Sequence, residues 1–231
     1  MAESNPMALA RTSSAFAADI VGRSLLLTLM AFVGQGAWSR ASALAPTASL
    51  RDFLTFSSEV GAFLFAALVC LLAVIRLPSS RRANGWGATV FALGGAFIMT
   101  IVNRLPTTPL PLSVSLLSAG LLAGGNAAAV YCLAHLGRSF SVLPEARRLV
   151  QTGPYGVVRH PLYVAEGVAT VGLVLLHWSA LAVAVGALQM VLQWLRLRQE
   201  EKVLLATFPG YADYAASTPR LVPGWRPALS R

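Results

Sequence analysis

Long apolar runs separated by short polar stretches set the rhythm of this chain, and six of them read as membrane segments: about 20–39, 54–75, 86–103, 112–136, 161–176 and 178–195. A helical span needs roughly 20 mostly apolar residues, or fewer where snorkelling groups flank it. Val60 to Ile75 and Leu116 to Leu136 carry no formal charge and define the clearest spans. The last two segments are short, and His177-Trp178 is the only polar break between them. A single helix through both overshoots a bilayer, so the pattern predicts a tight helical hairpin.

Apolar positions 197, 204, 205 and 208 then alternate with polar ones over Arg196 to about Phe208, which predicts a separate amphipathic helix leaving the membrane along the headgroup boundary. Gly120 and Gly124, four residues apart and followed by Gly125, predict close helix packing. Leu105 to Pro111 reads as a Pro-rich turn. The expected fold is therefore all-α and polytopic, with about six hydrophobic helices and a C-terminal interfacial helix. Residues 1–136 form a four-helix scaffold, and polar chemistry concentrates in 137–231 within one integrated domain.

Composition agrees, since 56% of residues are hydrophobic and 12% charged, too few polar groups to coat a soluble globule. The formal charge of +9 changes the picture through its placement. Only Arg40, Arg51 and Arg104 fall in the loops after segments one and three; the other Lys and Arg lie at the N-terminus, in the 76–85 and 137–160 loops, and toward the C-terminus. By the positive-inside bias this places both termini in the cytoplasm of an inner or plasma membrane protein. Membrane lipids are then the expected partners of the arginines, and nucleic acid is not. The first 19 residues lack the layout of a cleaved signal, so segment one is kept as a span. Cys70 and Cys132 both fall inside spans and imply no disulfide, and no metal-ligand spacing occurs.

Two polar blocks flank the hairpin. The first runs Leu149-Val150-Gln151-Thr152-Gly153-Pro154-Tyr155, then Arg159-His160-Pro161-Leu162-Tyr163. Pro161 suits a first helical turn, so a helix starts at His160, and its free N–H groups and dipole attract an anionic group. Aromatic rings of Tyr155 and Tyr163 suit a base or a sulfonium. The second block is Arg196 with Glu200-Glu201. At four residues apart, Arg196 and Glu200 make either a helix-surface ion pair or a binding edge, with Glu200 accepting from hydroxyl or amino groups and Arg196 holding an anion. Glu166 lies about two turns into segment five, where an ionisable group points to function and where Arg159 or His160 is its expected partner. His177 is expected at the interface, and His135 at a helix end near the cytoplasm. Because the hairpin's two feet sit side by side, residues about 40 positions apart are expected to build one pocket.

These blocks resemble the isoprenylcysteine carboxyl methyltransferase family with its phospholipid methyltransferase-like relatives. The matching residues are Leu149-Val150, Gly153-Pro154-Tyr155, Arg159-His160-Pro161 with Tyr163, then Arg196, Glu200-Glu201, Phe208, Tyr211, Tyr214, Arg220 and Pro223-Gly224. The likeness spans about 137–225; Phe208-Pro209-Gly210 departs from the family's Phe-Gly, so the alignment of the tail beyond it is open. The resemblance implies S-adenosyl-L-methionine as cofactor, held by Arg147, Arg148, Leu149, Val150, Tyr155, His160, Pro161, Leu162, Tyr163 and Glu200. It further implies that Arg196 and Arg159 face the substrate, with Arg196 and Glu166 at the chemistry and no metal. Methyl transfer from a sulfonium needs chiefly alignment and exclusion of water.

The expected activity is methylation of a lipophilic acceptor, a small molecule or a lipidated substrate such as a prenylcysteine carboxylate, entering laterally from the bilayer. Two alternatives stay open. Arg159-His160-Pro161-x-Tyr163 with Glu166 also resembles sterol reductases and implies NADPH, and a non-enzymatic scaffold or transporter accounts for the spans alone.

Overall fold

The computed structural model describes residues 6–44, 49–77, 80–82 and 86–225. Its helices, in chain order, are α1 (Pro6–Ser42), α2 (Leu50–Ile75), α3 (Trp86–Phe97), α4 (Met99–Val102), α5 (Leu112–Leu136), α6 (Pro161–Leu176), α7 (Ala180–Thr207) and α8 (Tyr211–Ser217). The strands among the described residues are two dipeptides, β1 (Arg81–Arg82) and β2 (Glu145–Ala146), paired antiparallel. The fold is all-α, as the apolar periodicity requires.

Local chemistry fixes the helix ends. Ser49 caps α2 and Ser179 caps α7, each hydroxyl accepting an N–H three residues on, from Asp52 and Ala182 at 3.1 Å. Pro161 occupies the first turn of α6, and α5 ends at Gly137, whose φ of 52° suits a residue without Cβ. The expected break between the sixth segment and an interfacial exit helix is absent. α7 runs 28 residues without interruption, because 196–207 are good helix formers and no Pro or Gly intervenes before Pro209. The third segment, expected as one piece, divides into α3 and the short α4 at Ile98.

Among the described residues three helices are long and apolar enough to cross a membrane, Leu50–Ile75, Leu112–Ser139 and Ala180–Thr207; Val90–Val102 and Pro161–Leu176 are shorter apolar helices. Their outer faces carry exposed Leu64, Leu71, Leu117, Val171, Leu188 and Val191, the surface a lipid-facing helix presents. The protein is thus a helical membrane protein.

α1 packs on α2, α2 on α5 and α5 on α6, whereas α7 packs chiefly on α3. The last two helices are consecutive, yet each leans on a different neighbour, so they diverge and leave space between them. Of the glycines expected to allow close packing, Gly120 and Gly124 face open space, and Gly125 is the one that matters. A Cβ there would stand 2.7 Å from the Ala169 backbone nitrogen, so only glycine lets α5 and α6 approach this closely. Ser118 ties the same pair together by donating its hydroxyl to the Gly172 carbonyl at 2.8 Å. Cys132 is buried and Cys70 partly so, and both are free thiols.

The connections gather at two ends. At one, β1 pairs with β2, the Leu77 N–H donates to the Arg138 carbonyl (2.9 Å), and the Arg159 and His160 N–H groups donate to the Pro219 and Arg220 carbonyls (2.8 and 3.1 Å). At the other, the Thr108 N–H donates to Leu176 (3.1 Å) and its hydroxyl to Trp178 (3.0 Å), so the Pro-rich turn seals the hairpin tip. His177, expected at the interface, is buried against the Pro106 carbonyl at 3.2 Å.

Candidate functional site

The two polar blocks meet as their spacing requires. Tyr163 donates its hydroxyl to Glu200 at 2.8 Å across 37 residues, and His160 Nε2 lies 3.2 Å from Glu201 Oε1 across 41. Adjacent positions on a helix point about 100° apart, so the two glutamates serve different neighbours. Glu201 is the hub. Its Oε1 also meets Arg159 Nη1 at 3.1 Å, and Arg220 grips both oxygens, Nη2 to Oε2 at 2.6 Å and Nε to Oε1 at 3.2 Å. A carboxylate facing the imidazole makes Nε2 the protonated nitrogen of His160. Arg220 also lies over the Trp194 ring, at 5.4 Å from its centroid.

This corrects the expectation for Glu166. Arg159 and His160, proposed as its partners, are committed to Glu201, while Glu166 projects elsewhere. Sequence reasoning gave Glu201 no role of its own. The signal lay in its 41-residue spacing from His160, taken together with the turn between it and Glu200. Glu145 was also missed; it pairs with Arg147 in a fully buried ion pair and accepts from the Ser141 hydroxyl at 2.9 Å.

Around this framework lies a pocket of about 60 Å³. Arg147, Arg148, Leu149, Val150, Tyr155, His160, Leu162, Tyr163 and Glu200 line it, so every expected cofactor residue except Pro161 contributes to one wall or another. Arg159 and Arg196 complete it, with Tyr211 and Tyr214 from α8. Tyr214 donates to the Tyr155 carbonyl at 2.6 Å, and Tyr155 in turn to the Cys132 carbonyl at 3.4 Å. Burial pushes the Tyr155 and Tyr211 phenols far up and that of Tyr214 up to about 12, so all three remain protonated donors at working pH.

A second, larger cavity of about 670 Å³ occupies the space between the diverging helices. Glu166, Thr170, Gln189, Ser118 and Asn126 line it alongside Val69, Phe97, Leu122 and Leu173. Arg196 and Phe140 line both cavities. Arg196 is 6% exposed and lies over the Tyr163 ring, 5.2 Å from its centroid. It forms no ion pair among the described residues, so the helix-surface pair with Glu200 is not its role. Glu166 and Glu200 act on this guanidinium electrostatically without reaching ion-pair distance, which leaves its fork able to take an anionic partner.

Fold and site together define a helical membrane protein in which a polar pocket meets a membrane-depth cavity at one arginine. Residues 113–210 match the family model described as phospholipid methyltransferase. The chain is also similar to the nickel-cobalt-cadmium resistance protein NccN of Alcaligenes xylosoxydans xylosoxydans, 35% identical over 48% of this chain and 52% of the relative. With the cobalt-zinc-cadmium resistance protein CzcN of Cupriavidus metallidurans it shares 38% identity over 39% of this chain and 44% of the relative. The chain thus spans about half the length of the curated relatives it matches.

Proposed function

We propose that this protein is an S-adenosyl-L-methionine-dependent methyltransferase acting on a lipophilic acceptor, with the small pocket and both termini on the cytoplasmic side. The observation that carries this reading is the position of Arg196, unpaired and shared between a polar pocket and a membrane-depth cavity. The family match supports the reaction class.

The small pocket fits the cofactor chemically. Arg147 keeps Nε and Nη1 buried without a partner, two donors suited to an amino-acid carboxylate. The first-turn amides of Leu162 and Tyr163 have no intrahelical acceptor. Glu200 uses one oxygen on Tyr163 and keeps the other for ribose hydroxyls or an amino group. At about 60 Å³ the pocket is contracted, and admitting a nucleoside requires outward movement of the largely irregular 141–152 stretch, whose Arg148 is already exposed. The bound cofactor supplies an activated methyl group on a sulfonium.

The chain's own residues then do the rest. Arg196 holds the anionic end of the acceptor at the junction, and Glu166, lining the same cavity, takes the proton from an acceptor that must lose one. Phe140 and Leu162 exclude water from the line between donor and acceptor. The Glu201 hub fixes Arg159, His160 and Arg220, and so the pocket wall.

Calorimetric titration of detergent-purified protein with S-adenosylhomocysteine and, separately, NADPH tests this reading. S-adenosylhomocysteine is expected to bind and NADPH not; the reverse outcome moves the protein to the reductase class. The names of the two relatives also support a contribution to metal tolerance as the setting of this activity, checked by growth of a deletion strain on nickel, cobalt and cadmium.

A further inference from the structure

The large cavity reaches exposed residues at the end of the bundle away from the small pocket. Its lining begins with Arg40 at the end of α1, Arg51 at the start of α2, and Asn103 and Thr107 between α4 and α5, all exposed at the hairpin-tip end, and closes on Phe140 and Arg196. Arg196 lies 16 residues beyond the first residue of α7, about 24 Å along the helix axis. The cavity therefore covers most of a bilayer's depth. Its walls differ from a simple hydrocarbon slot, because hydroxyl and amide side chains recur along its length.

Those polar groups already have internal partners. Ser58 donates to the Thr55 carbonyl (2.8 Å), Thr170 to Glu166 (2.9 Å), Asn126 to Ser58 (2.8 Å) and Gln189 to Gly95 (2.6 Å). With one donor engaged in each, they tolerate an apolar chain while offering oxygen lone pairs, and the second amide hydrogens of Asn126 and Gln189, to a polar one. The charges are arranged by depth. At the mouth Glu59 is neutralised by Arg40 at 2.8 Å, which leaves Arg51 beside it, and deeper in, Arg196 at the floor shares the lining with Glu166. Arg51 at the mouth attracts an anion inward, and Arg196, outside ion-pair contact with Glu166, is left to receive it.

We propose that the acceptor reaches Arg196 from the end of the bundle opposite the small pocket, through this cavity, and that it is an elongated amphiphile carrying an anionic group. The proposal rests on the methyltransferase reading for the name "acceptor", but the route stands on the cavity alone. It replaces lateral entry from the bilayer by entry at the far face, so that donor and acceptor approach one arginine from opposite sides of the membrane.

The route is tested by single cysteines in a Cys70→Ala, Cys132→Ala background reconstituted in oriented proteoliposomes. Ser115→Cys reports near the mouth and Ala169→Cys deeper in. Membrane-impermeant sulfonatoethyl methanethiosulfonate, added to one face at a time, is expected to modify both from the hairpin-tip face, and Asn103→Trp at the mouth is expected to slow both. Faster modification from the pocket face, or none from either, overturns the route. The charge assignment predicts that the anionic reagent reacts at Ala169→Cys at least about fivefold faster than its trimethylammonium counterpart, and that Arg196→Gln removes the preference. Equal rates, or a cation preference, overturn the anionic class. S-adenosylhomocysteine binding measured on the same preparation keeps the two readings apart. Its absence counts against methyl transfer, whereas the labelling face alone decides the route.

Discussion

The two cavities that meet at Arg196 handle charge in opposite ways. Around the small pocket the ionic groups are matched: Glu201 holds Arg159, His160 and Arg220, Glu145 holds Arg147, and Glu200 is held by Tyr163. In the large cavity Glu166 and Arg196 form no ion pair among the described residues, although both lie within the helical bundle. Ion pairs removed from water need their partners in place before anything binds. The Glu201 hub therefore holds its own partners in place, whereas Glu166 and Arg196 are left to take the partner that the proposed acceptor would supply.

The largest effect that sharpens this contrast is expected from Glu201→Gln. The substitution leaves Arg159, itself only 6% exposed, without its counter-charge, and is expected to cost about 3 kcal/mol of stability. Thermal unfolding in detergent checks it. Glu200→Gln, one residue away, should leave the midpoint nearly unchanged, and equal destabilisation by the two would erase the distinction between framework and binding edge.

Next in size is the turnover of Arg196→Ala, which should fall at least about a hundredfold while S-adenosylhomocysteine affinity stays within about a factor of five, because only acceptor alignment is lost. Arg196→Lys should recover little, since a point charge does not replace a planar fork. A panel of anionic amphiphiles supplies the acceptor for the assay. Lost cofactor affinity with turnover preserved at saturation would assign Arg196 to the small pocket instead.

Glu200→Gln comes third. If its free oxygen accepts hydrogen bonds as a carboxylate, S-adenosylhomocysteine binding should weaken by about 1.5–3 kcal/mol. Tyr163→Phe, which removes the hydroxyl that orients Glu200, should weaken it by less. Unchanged calorimetric affinity in both folded variants contradicts the placement of the cofactor.

How much of this was legible in the sequence depends on which physics each element obeys. Pro161 marks the start of α6 because ring chemistry is local, and the hairpin spacing brought His160 and Tyr163 to Glu201 and Glu200 because helix geometry is periodic. The continuity of α7 went unread, since amphipathic patterning beyond Arg196 looks the same on a separate interfacial helix and on the end of a long one. Nothing local signals that α6 leans on α5 and α7 on α3, so the large cavity was invisible. Arg220 was matched by resemblance only, and its grip on Glu201 follows from backbone pairing of Pro219 and Arg220 with Arg159 and His160, a contact between stretches about 60 residues apart.

The smallest effect concerns the tail that braces the small pocket, where Tyr214 donates to the Tyr155 carbonyl at 2.6 Å. Tyr214→Phe removes one neutral hydrogen bond and leaves a buried carbonyl short of a donor, so the loss of stability should be about 1 kcal/mol. Burial raises this phenol to about 12 from its usual 10, which means the folded state holds the proton where the unfolded chain releases it. The contribution is therefore fully present below pH 10 and is lost as pH rises through 12. Thermal midpoints of wild type and Tyr214→Phe should differ by a constant amount from pH 6 to 9 and converge above pH 10. A difference that instead changes between pH 6 and 9 would contradict the assignment of this pH dependence to the Tyr214 phenol.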